Sequence, residues 1–287
     1  MITIELSGGL GNQMFQYALG RHLSLKNKTG LSLDASKIGS YKHGKRSYAL
    51  SPFDISADII TDPAGAPRPS LFRRCADLLK PYYGRSRIVE RGQGFDKDIL
   101  KIKPSGDNIV LSGHWQSERY FRDIEPMIRR DLTLKDPQGA DFDSMAARIR
   151  SCRSVSLHVR RTDYLIEKHK NVYGMCAKEY YEQAIGLLKD KASEMTLFVF
   201  SDDIGWVKNN MKFPEAAVFV SGNGFEAHQE MMLISLCKHN ITANSTFSWW
   251  GAWLNGNLDK IVIAPKKWFV DHKSDENGLI PDTWIRL

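Results

Sequence analysis

From residue 141 to residue 263 the chain alternates helix-patterned segments with short apolar segments patterned for strand, and this alternation leaves few folds open to it. Helix is expected at 141–150, 178–190, 203–211, 226–237 and 247–254, and strand at 154–160, 196–200, 217–220, 240–243 and 260–263. Strands separated by single helices at this spacing imply a parallel, doubly wound sheet. The amino-terminal half starts the same way. Residues 2–6 read as a strand that turns through glycines into a helix, with Phe15, Ala18, Leu19, His22 and Leu23 on one face. Further strands are expected at 31–33 and 109–111, and Ser117 can cap a helix running through Arg130. The Pro- and Gly-containing stretch from Gly39 to about Gly94 reads as loops and short helices. Two α/β domains follow, at 1–140 and 141–287, with the last twenty or so residues expected to pack back on the first.

A chain of 287 residues is long enough for two domains that each bury a core. With 42% hydrophobic and 25% charged residues it is an ordinary globular composition, and no apolar run is long enough to cross a bilayer. The opening MITIELSGGLGNQMF enters a strand with no basic leader or apolar signal core, so the expected location is the cytosol. A formal charge of +7, from 40 Lys and Arg against 33 Asp and Glu, fits an anionic small molecule, an anionic membrane surface or nucleic acid. No nucleic-acid module has its spacing here, so nucleic acid is set aside; peripheral contact with an inner membrane stays open. Cys75, Cys152, Cys176 and Cys237 are scattered, which suggests neither a zinc site nor a disulfide framework.

Four polar segments sit where a strand meets a helix. In SLHVRRTDY, residues 156 to 164, a buried strand ends on Arg160 and Arg161, two permanently charged forks suited to a diphosphate, with His158 and Asp163 close by. A salt-bridged pair on a loop is the plainer reading. In SGGLGNQMFQYA, Gly8, Gly9 and Gly11 permit close backbone approach while Asn12 and Gln13 put amides at a helix start. Met14 stands where a dinucleotide fingerprint has its third glycine, and a tight turn with an Asn cap explains the segment equally well. In FSDDIGW, Asp202 and Asp203 invite either a cap or an acceptor for the arginines or a nucleotide, and the arginines make a metal redundant. In ANSTFSWWGAWL, Asn244, Ser245, Thr246 and Ser248 are small donors around a helix start, a cradle for phosphate oxygens, whereas Trp249, Trp250 and Trp253 favour packing.

Taken together with GHWQSERYF and EMMLISLCKHNITANSTFSWWGAWL, these segments closely resemble the bacterial α-1,2-fucosyltransferases of glycosyltransferase family 11, over residues 4 to about 268. That resemblance implies an α/β fold of GT-B type, two Rossmann-like domains facing a central cleft. The carboxyl-terminal domain would hold GDP-L-fucose and a galactose-terminated oligosaccharide or glycolipid acceptor would enter from the amino-terminal side. It implies that Arg160 contacts the diphosphate, that His158 lies beside the nucleotide, that Asp203 and Ser245, Thr246, Phe247 and Ser248 are nucleotide contacts, and that Asn12 faces the reacting sugar or acceptor. Gly9, Gln13, Arg161, Asp202 and Asn244 complete the expected donor site, and His114, Trp115 and Gln116 the expected acceptor contacts. Asp163 and Glu167 are the two candidates for general base, with neither preferred. No metal and no cofactor is expected, GDP-fucose being a substrate. The expected reaction is inverting transfer of fucose to the 2-hydroxyl of a terminal β-galactoside in lipopolysaccharide O-antigen or capsule. Two other classes stay in view: an NAD-dependent oxidoreductase, with Asp34 near the ribose-binding position but Met14 against it, and a non-catalytic carbohydrate-binding protein using the tryptophans.

Overall fold

The computed structural model describes residues 1–38, 46–61, 85–92, 94–103, 108–162, 172–191, 194–213, 217–270 and 276–287. The chain forms two compact units, Met1–Leu134 and Lys135–Leu287, a division a few residues earlier than the sequence reading places it. No helix among the described residues is long and apolar enough to cross a membrane.

The first unit is built on strands β1 (Ile2–Glu5), β2 (Leu31–Asp34), β3 (Asp58–Ile60), β4 (Arg85–Val89) and β5 (Asn108–Ser112), all parallel, in the order β3-β2-β1-β5-β4. Between β1 and β2 runs helix α1 (Leu10–Lys26), buried around most of its circumference, with Met14, Phe15, Tyr17, Ala18 and Leu19 in the core. Gly20 lets it press on the sheet: a Cβ there would stand 2.7 Å from side-chain atoms of both Ile4 and Leu31. Two strands, β3 and β4, occupy the stretch expected to be loops and short helices. They lie at the two edges of the sheet, where Ile60 and Val89 remain 43% and 56% exposed, so no buried apolar alternation announces them. The single helix expected from Ser117 to Arg130 is also corrected. Two 3₁₀ turns, Glu118–Tyr120 and Arg122–Ile124, come first, and helix α2 (Glu125–Asp131) starts afresh with Pro126 in its first turn. Proline has no N–H to continue an earlier helix and is tolerated in a first turn. Ser117 does cap, its Oγ accepting the N–H of Arg119 at 3.2 Å.

In the second unit helix α3 (Ala140–Arg150) precedes β6 (Ser154–Val159), α4 (Lys178–Lys191), β7 (Thr196–Ser201), α5 (Ile204–Asn210), β8 (Ala217–Phe219), α6 (Ala227–Leu236), β9 (His239–Ile241), α7 (Thr246–Leu254), β10 (Val262–Ala264) and β11 (Ile285–Arg286). The sheet order β11-β10-β9-β6-β7-β8, parallel throughout, reverses direction between β6 and β9, the switch point at which open α/β sheets bind ligands. Its faces carry separate cores. Leu197 and Val199 of β7 pack with Ala184 and Leu188 of α4, whereas Phe198 and Phe200 pack with Ile149 of α3 and Leu233 and Ile234 of α6. β6, at the centre, is buried on both faces, so Ser154, Ser156 and His158 are as enclosed as Val155 and Leu157. Ser156 is matched there: Asn240 Nδ2 donates to its Oγ at 2.8 Å, and Asn240 Oδ1 accepts from Asn255 Nδ2 at 2.8 Å.

The tryptophans of α7 are core, as the sequence favoured. Trp249 and Trp253 stack with centroids 6.2 Å apart, and Trp249 Nε1 donates to the carbonyl of Leu279 at 2.8 Å. The last residues complete the sheet of the second unit. Ile285 and Arg286 pair with β10, and Trp284 lies 5.6 Å from Trp249, because this short strand completes a sheet whose edge would otherwise stand open.

Candidate active site

At the switch point of the second unit β6 runs out into Arg160 and Arg161, and three of the sequence segments meet. His158, the last but one residue of β6, has its ring 5.4 Å from that of Phe247 in the first turn of α7. Asp202 and Asp203 follow the neighbouring strand β7 and face the arginines. Asp202 organises the turn. Its Oδ1 accepts from the N–H of Arg161 at 2.9 Å, and its Oδ2 accepts from the N–H of Thr162 at 2.9 Å and from the Thr162 hydroxyl. Oδ2 also lies 3.4 Å from Nε of Arg160.

The two arginines differ. Arg161 donates Nε to Asp203 Oδ2 at 3.2 Å, lies with its guanidinium carbon 3.4 Å from the centre of the Trp206 ring, and is 13% exposed. Its planar face and one edge are therefore committed inside the unit. Arg160, 20% exposed, meets the edge of Asp202 through Nε. Beside it opens a cavity of about 220 Å³ lined by Val159, Arg161, Cys176, Tyr181 and Trp206 among others. Burial pushes Cys176 up to about 11, so it is a thiol rather than a thiolate.

His158 is held neutral. Burial above all, and then the Arg160 charge, lowers it to about 3 against the opposing pull of Asp202. Its Nδ1 is enclosed and meets no hydrogen-bond partner among the described residues. The neutral His158 ring, 3% exposed, lies beneath the partly exposed Phe247 and beside Arg160.

Several expected ligand contacts are instead internal braces. Asn244 is buried, and its Nδ2 donates to the carbonyls of Tyr173, Gly174 and Trp268 at 2.8, 3.3 and 3.1 Å. Its Oδ1 accepts from Cys176 Sγ at 3.5 Å, so the side chain ties the 173–176 loop to β9's end and has no capacity left for phosphate. Ser248 is buried and donates its hydroxyl within the helix turn, to the carbonyl of Ser245 at 3.2 Å. Ser245, also buried, is the N-cap of α7, its Oγ accepting from the N–H of Phe247 at 3.4 Å. Thr246 and Phe247 remain partly exposed at the helix start.

In the first unit the glycine turn follows β1. Gly8 has φ +74, and Gly9 is the N-cap of α1. Gln13 is wholly buried: Nε2 donates to the carbonyls of Gly8 at 3.2 Å and Ser47 at 2.9 Å, and Oε1 accepts from the N–H of Ala49 at 2.9 Å. It staples residues 47–49 to the turn rather than facing a substrate. Arg46 comes with them, its Nη1 3.4 Å from where a Cβ on Gly9 would stand. No local pattern in the sequence marks Arg46.

Asn12 is partly exposed, and its Oδ1 accepts from Gln116 Nε2 at 3.0 Å, which joins the glycine turn to the turn after β5. There His114 and Gln116 are partly exposed, but Trp115 is 1% exposed and packs edge-on to Tyr120 at 6.0 Å, so its expected contact with an acceptor is corrected. Burial lowers His114 below the usual imidazole range. Asp163 and Glu167 lie outside the described residues.

The sequence profile described as "Glycosyl transferase family 11" matches residues 1–287. The chain is 34% identical to an Escherichia coli "Alpha-1,2-colitosyltransferase", covering 100% of this chain and 99% of that one. To the "O-antigen biosynthesis glycosyltransferase WbnK" of Escherichia coli it is also 34% identical, over 98% of this chain and 99% of the relative. The "Galactoside alpha-(1,2)-fucosyltransferase 1" of Gorilla gorilla gorilla is 29% identical, over 99% of this chain and 74% of the relative. Among solved structures, "NodZ alpha-1,6-fucosyltransferase soaked with GDP-fucose" superposes with a TM-score of 0.53 at 17% identity, covering 88% of this chain and 92% of that one, which places both in the GT-B type of α/β fold.

Proposed function

This chain belongs to glycosyltransferase family 11, and from that premise we propose that it moves L-fucose from GDP-β-L-fucose to the 2-hydroxyl of a terminal β-galactoside, with inversion, in the building of O-antigen or capsule. The names of the relatives support the parts: α-1,2 linkage in the colitosyl and galactoside enzymes, O-antigen in WbnK, and galactoside with fucose in the primate enzyme. The observation that carries the reading is Arg160 at the switch point of a parallel, doubly wound sheet, beside a neutral His158 and the start of α7.

In this reading the second unit binds the donor. The diphosphate gains negative charge as the bond from the sugar to the β-phosphate breaks, and Arg160 meets that charge with hydrogen bonds that strengthen in the transition state. Asp202 fixes where the fork points by holding both the Nε edge of Arg160 and the backbone of the next two residues. Phe247, backed by the buried neutral His158, offers an uncharged surface next to it, and the first N–H groups of α7 face anionic oxygens. The arginine charge takes the place of a metal, so transfer is metal-independent. The first unit contributes Asn12, His114 and Gln116 to the acceptor. Asp163 or Glu167 takes the acceptor proton.

The test is incubation of the pure protein with GDP-fucose and a β-galactoside in chelator, with NMR assignment of the product linkage. An α-1,2-fucosylated product is expected. GDP release with no new linkage, or no reaction, overturns the reading. The colitosyl relative makes a colitosyl nucleotide the informative competitor donor.

A further inference from the structure

Glu90 follows β4, one of the two edge strands of the first unit, and its carboxylate crosses to the turn that follows β5. Oε2 accepts from the N–H of His114 at 2.6 Å and Oε1 accepts from the N–H of Trp115 at 2.8 Å. Two successive backbone N–H groups converging on one carboxylate are a fixed, two-point clamp.

Three further observations show that the clamp sets the conformation of the turn. Trp115 has φ +55, in the left-handed region that a bulky residue occupies only where its surroundings impose it. Gly113 has no side chain where a Cβ would stand 2.4 Å from Cβ and 2.7 Å from Oε2 of Glu90, so glycine is what admits the carboxylate. The Trp115 ring is turned inward, its Nε1 buried with no hydrogen-bond partner among the described residues. With the tryptophan inside, His114 and Gln116 on either side of it stay partly exposed, and Gln116 reaches Asn12 of the glycine turn at 3.0 Å. Glu90 thus acts on His114 and Gln116 through the backbone of the turn, and through Gln116 on Asn12.

We propose that Glu90 is a positioning residue for the sugar acceptor, locking the His114–Gln116 turn in the strained form that presents His114, Gln116 and Asn12 to acceptor hydroxyls. This rests on the reading that the first unit meets the acceptor. The donor, bound by residues of the second unit, is independent of the clamp.

The experiment compares wild type, Glu90→Gln and Gly113→Ala for acceptor KM at saturating GDP-fucose, GDP Kd by calorimetry, and melting temperature. Glutamine keeps the size but supplies one acceptor oxygen and an NH₂ that faces a donor, and alanine at 113 displaces the carboxylate without removing it. The expected result is an acceptor KM raised about tenfold in each variant, about 1.4 kcal/mol, with GDP Kd within about twofold of wild type. If Glu90→Gln does not fold, Gly113→Ala reads the same constant. Unchanged acceptor KM, or a GDP Kd that worsens in step with the melting temperature, overturns the positioning role. A wild-type protein that transfers no fucose overturns the function instead, and the two failures are told apart by the wild-type reaction.

Discussion

Arg161 carries its guanidinium carbon 3.4 Å from the centre of the Trp206 ring, and that contact separates the roles of two adjacent arginines. A cation stacked on an aromatic face and bonded to Asp203 is a structural pin. Arg161→Lys keeps the charge and loses the flat face and the fork, so it should cost about 1 kcal/mol of stability. GDP affinity should stay within about threefold by the same reasoning, since the side chain is committed elsewhere. Denaturant melts and calorimetry on the single variants and on Arg161→Lys with Trp206→Ala check this, and the double variant should lose less than the sum of the singles.

Asp202 gathers the N–H groups of Arg161 and Thr162 and the edge of Arg160. Asp202→Asn leaves one of those donors facing an NH₂ group. The loss of an acceptor for a charge-assisted bond is worth about 1.5–3 kcal/mol, so GDP binding should weaken by roughly ten- to a hundredfold as the turn and Arg160 lose their anchor. Isothermal titration measures it, and undiminished affinity would show that Arg160 is aimed by something else.

Gln13 was expected to touch the donor, and its three bonds to Gly8, Ser47 and Ala49 assign it to the fold instead. Gln13→Ala should lower stability by about 1–3 kcal/mol, since buried backbone groups lose their partners. GDP affinity should not change. A denaturant melt paired with GDP titration distinguishes the two roles.

Glu230 gives the second unit a pH dependence with a definite sign. Burial, opposed by the bond from Ser221 at 2.9 Å, raises its carboxyl from 4.5 to about 7. The folded chain therefore keeps this proton up to about pH 7 while the unfolded chain releases it near 4.5. Between those values the folded form binds more protons, so this group's contribution to stability falls as pH rises, with a slope approaching about 1.4 kcal/mol per pH unit. Urea melts at pH 5 and pH 7.5 should show wild type losing stability relative to Glu230→Gln across that window, and parallel curves would refute the assignment.

The second unit was largely legible in its sequence, because β6, β7 and β9 are central strands whose apolar runs are bounded by helices with clear starts. The same rule failed at β3 and β4, where the sheet edge leaves residues such as Ile60 and Val89 exposed and no periodicity forms. The meeting of Arg160 and Arg161 with Asp202 and Asp203 was foreseeable, since all four follow the ends of adjacent strands. Which polar side chains face inward was not. Gln13, Asn244 and Ser248 have the chemistry of ligand contacts, and only the carbonyls packed around them reveal that they are committed within the fold. Glu90 and Arg46 escaped notice because each acts on a turn distant in sequence, at residues 113–115 and 8–9.

The account turns on Arg160 as the group that meets the donor's diphosphate. Its direct test is the GDP dissociation constant of Arg160→Ala beside that of Arg161→Ala, by calorimetry at one ionic strength, with folding checked by melting. Loss of charge-assisted bonds worth about 1.5–3 kcal/mol predicts roughly ten- to a hundredfold weaker binding for Arg160→Ala and a change of no more than about threefold for Arg161→Ala. Equal affinities in wild type and Arg160→Ala, or a loss confined to Arg161→Ala, would contradict it.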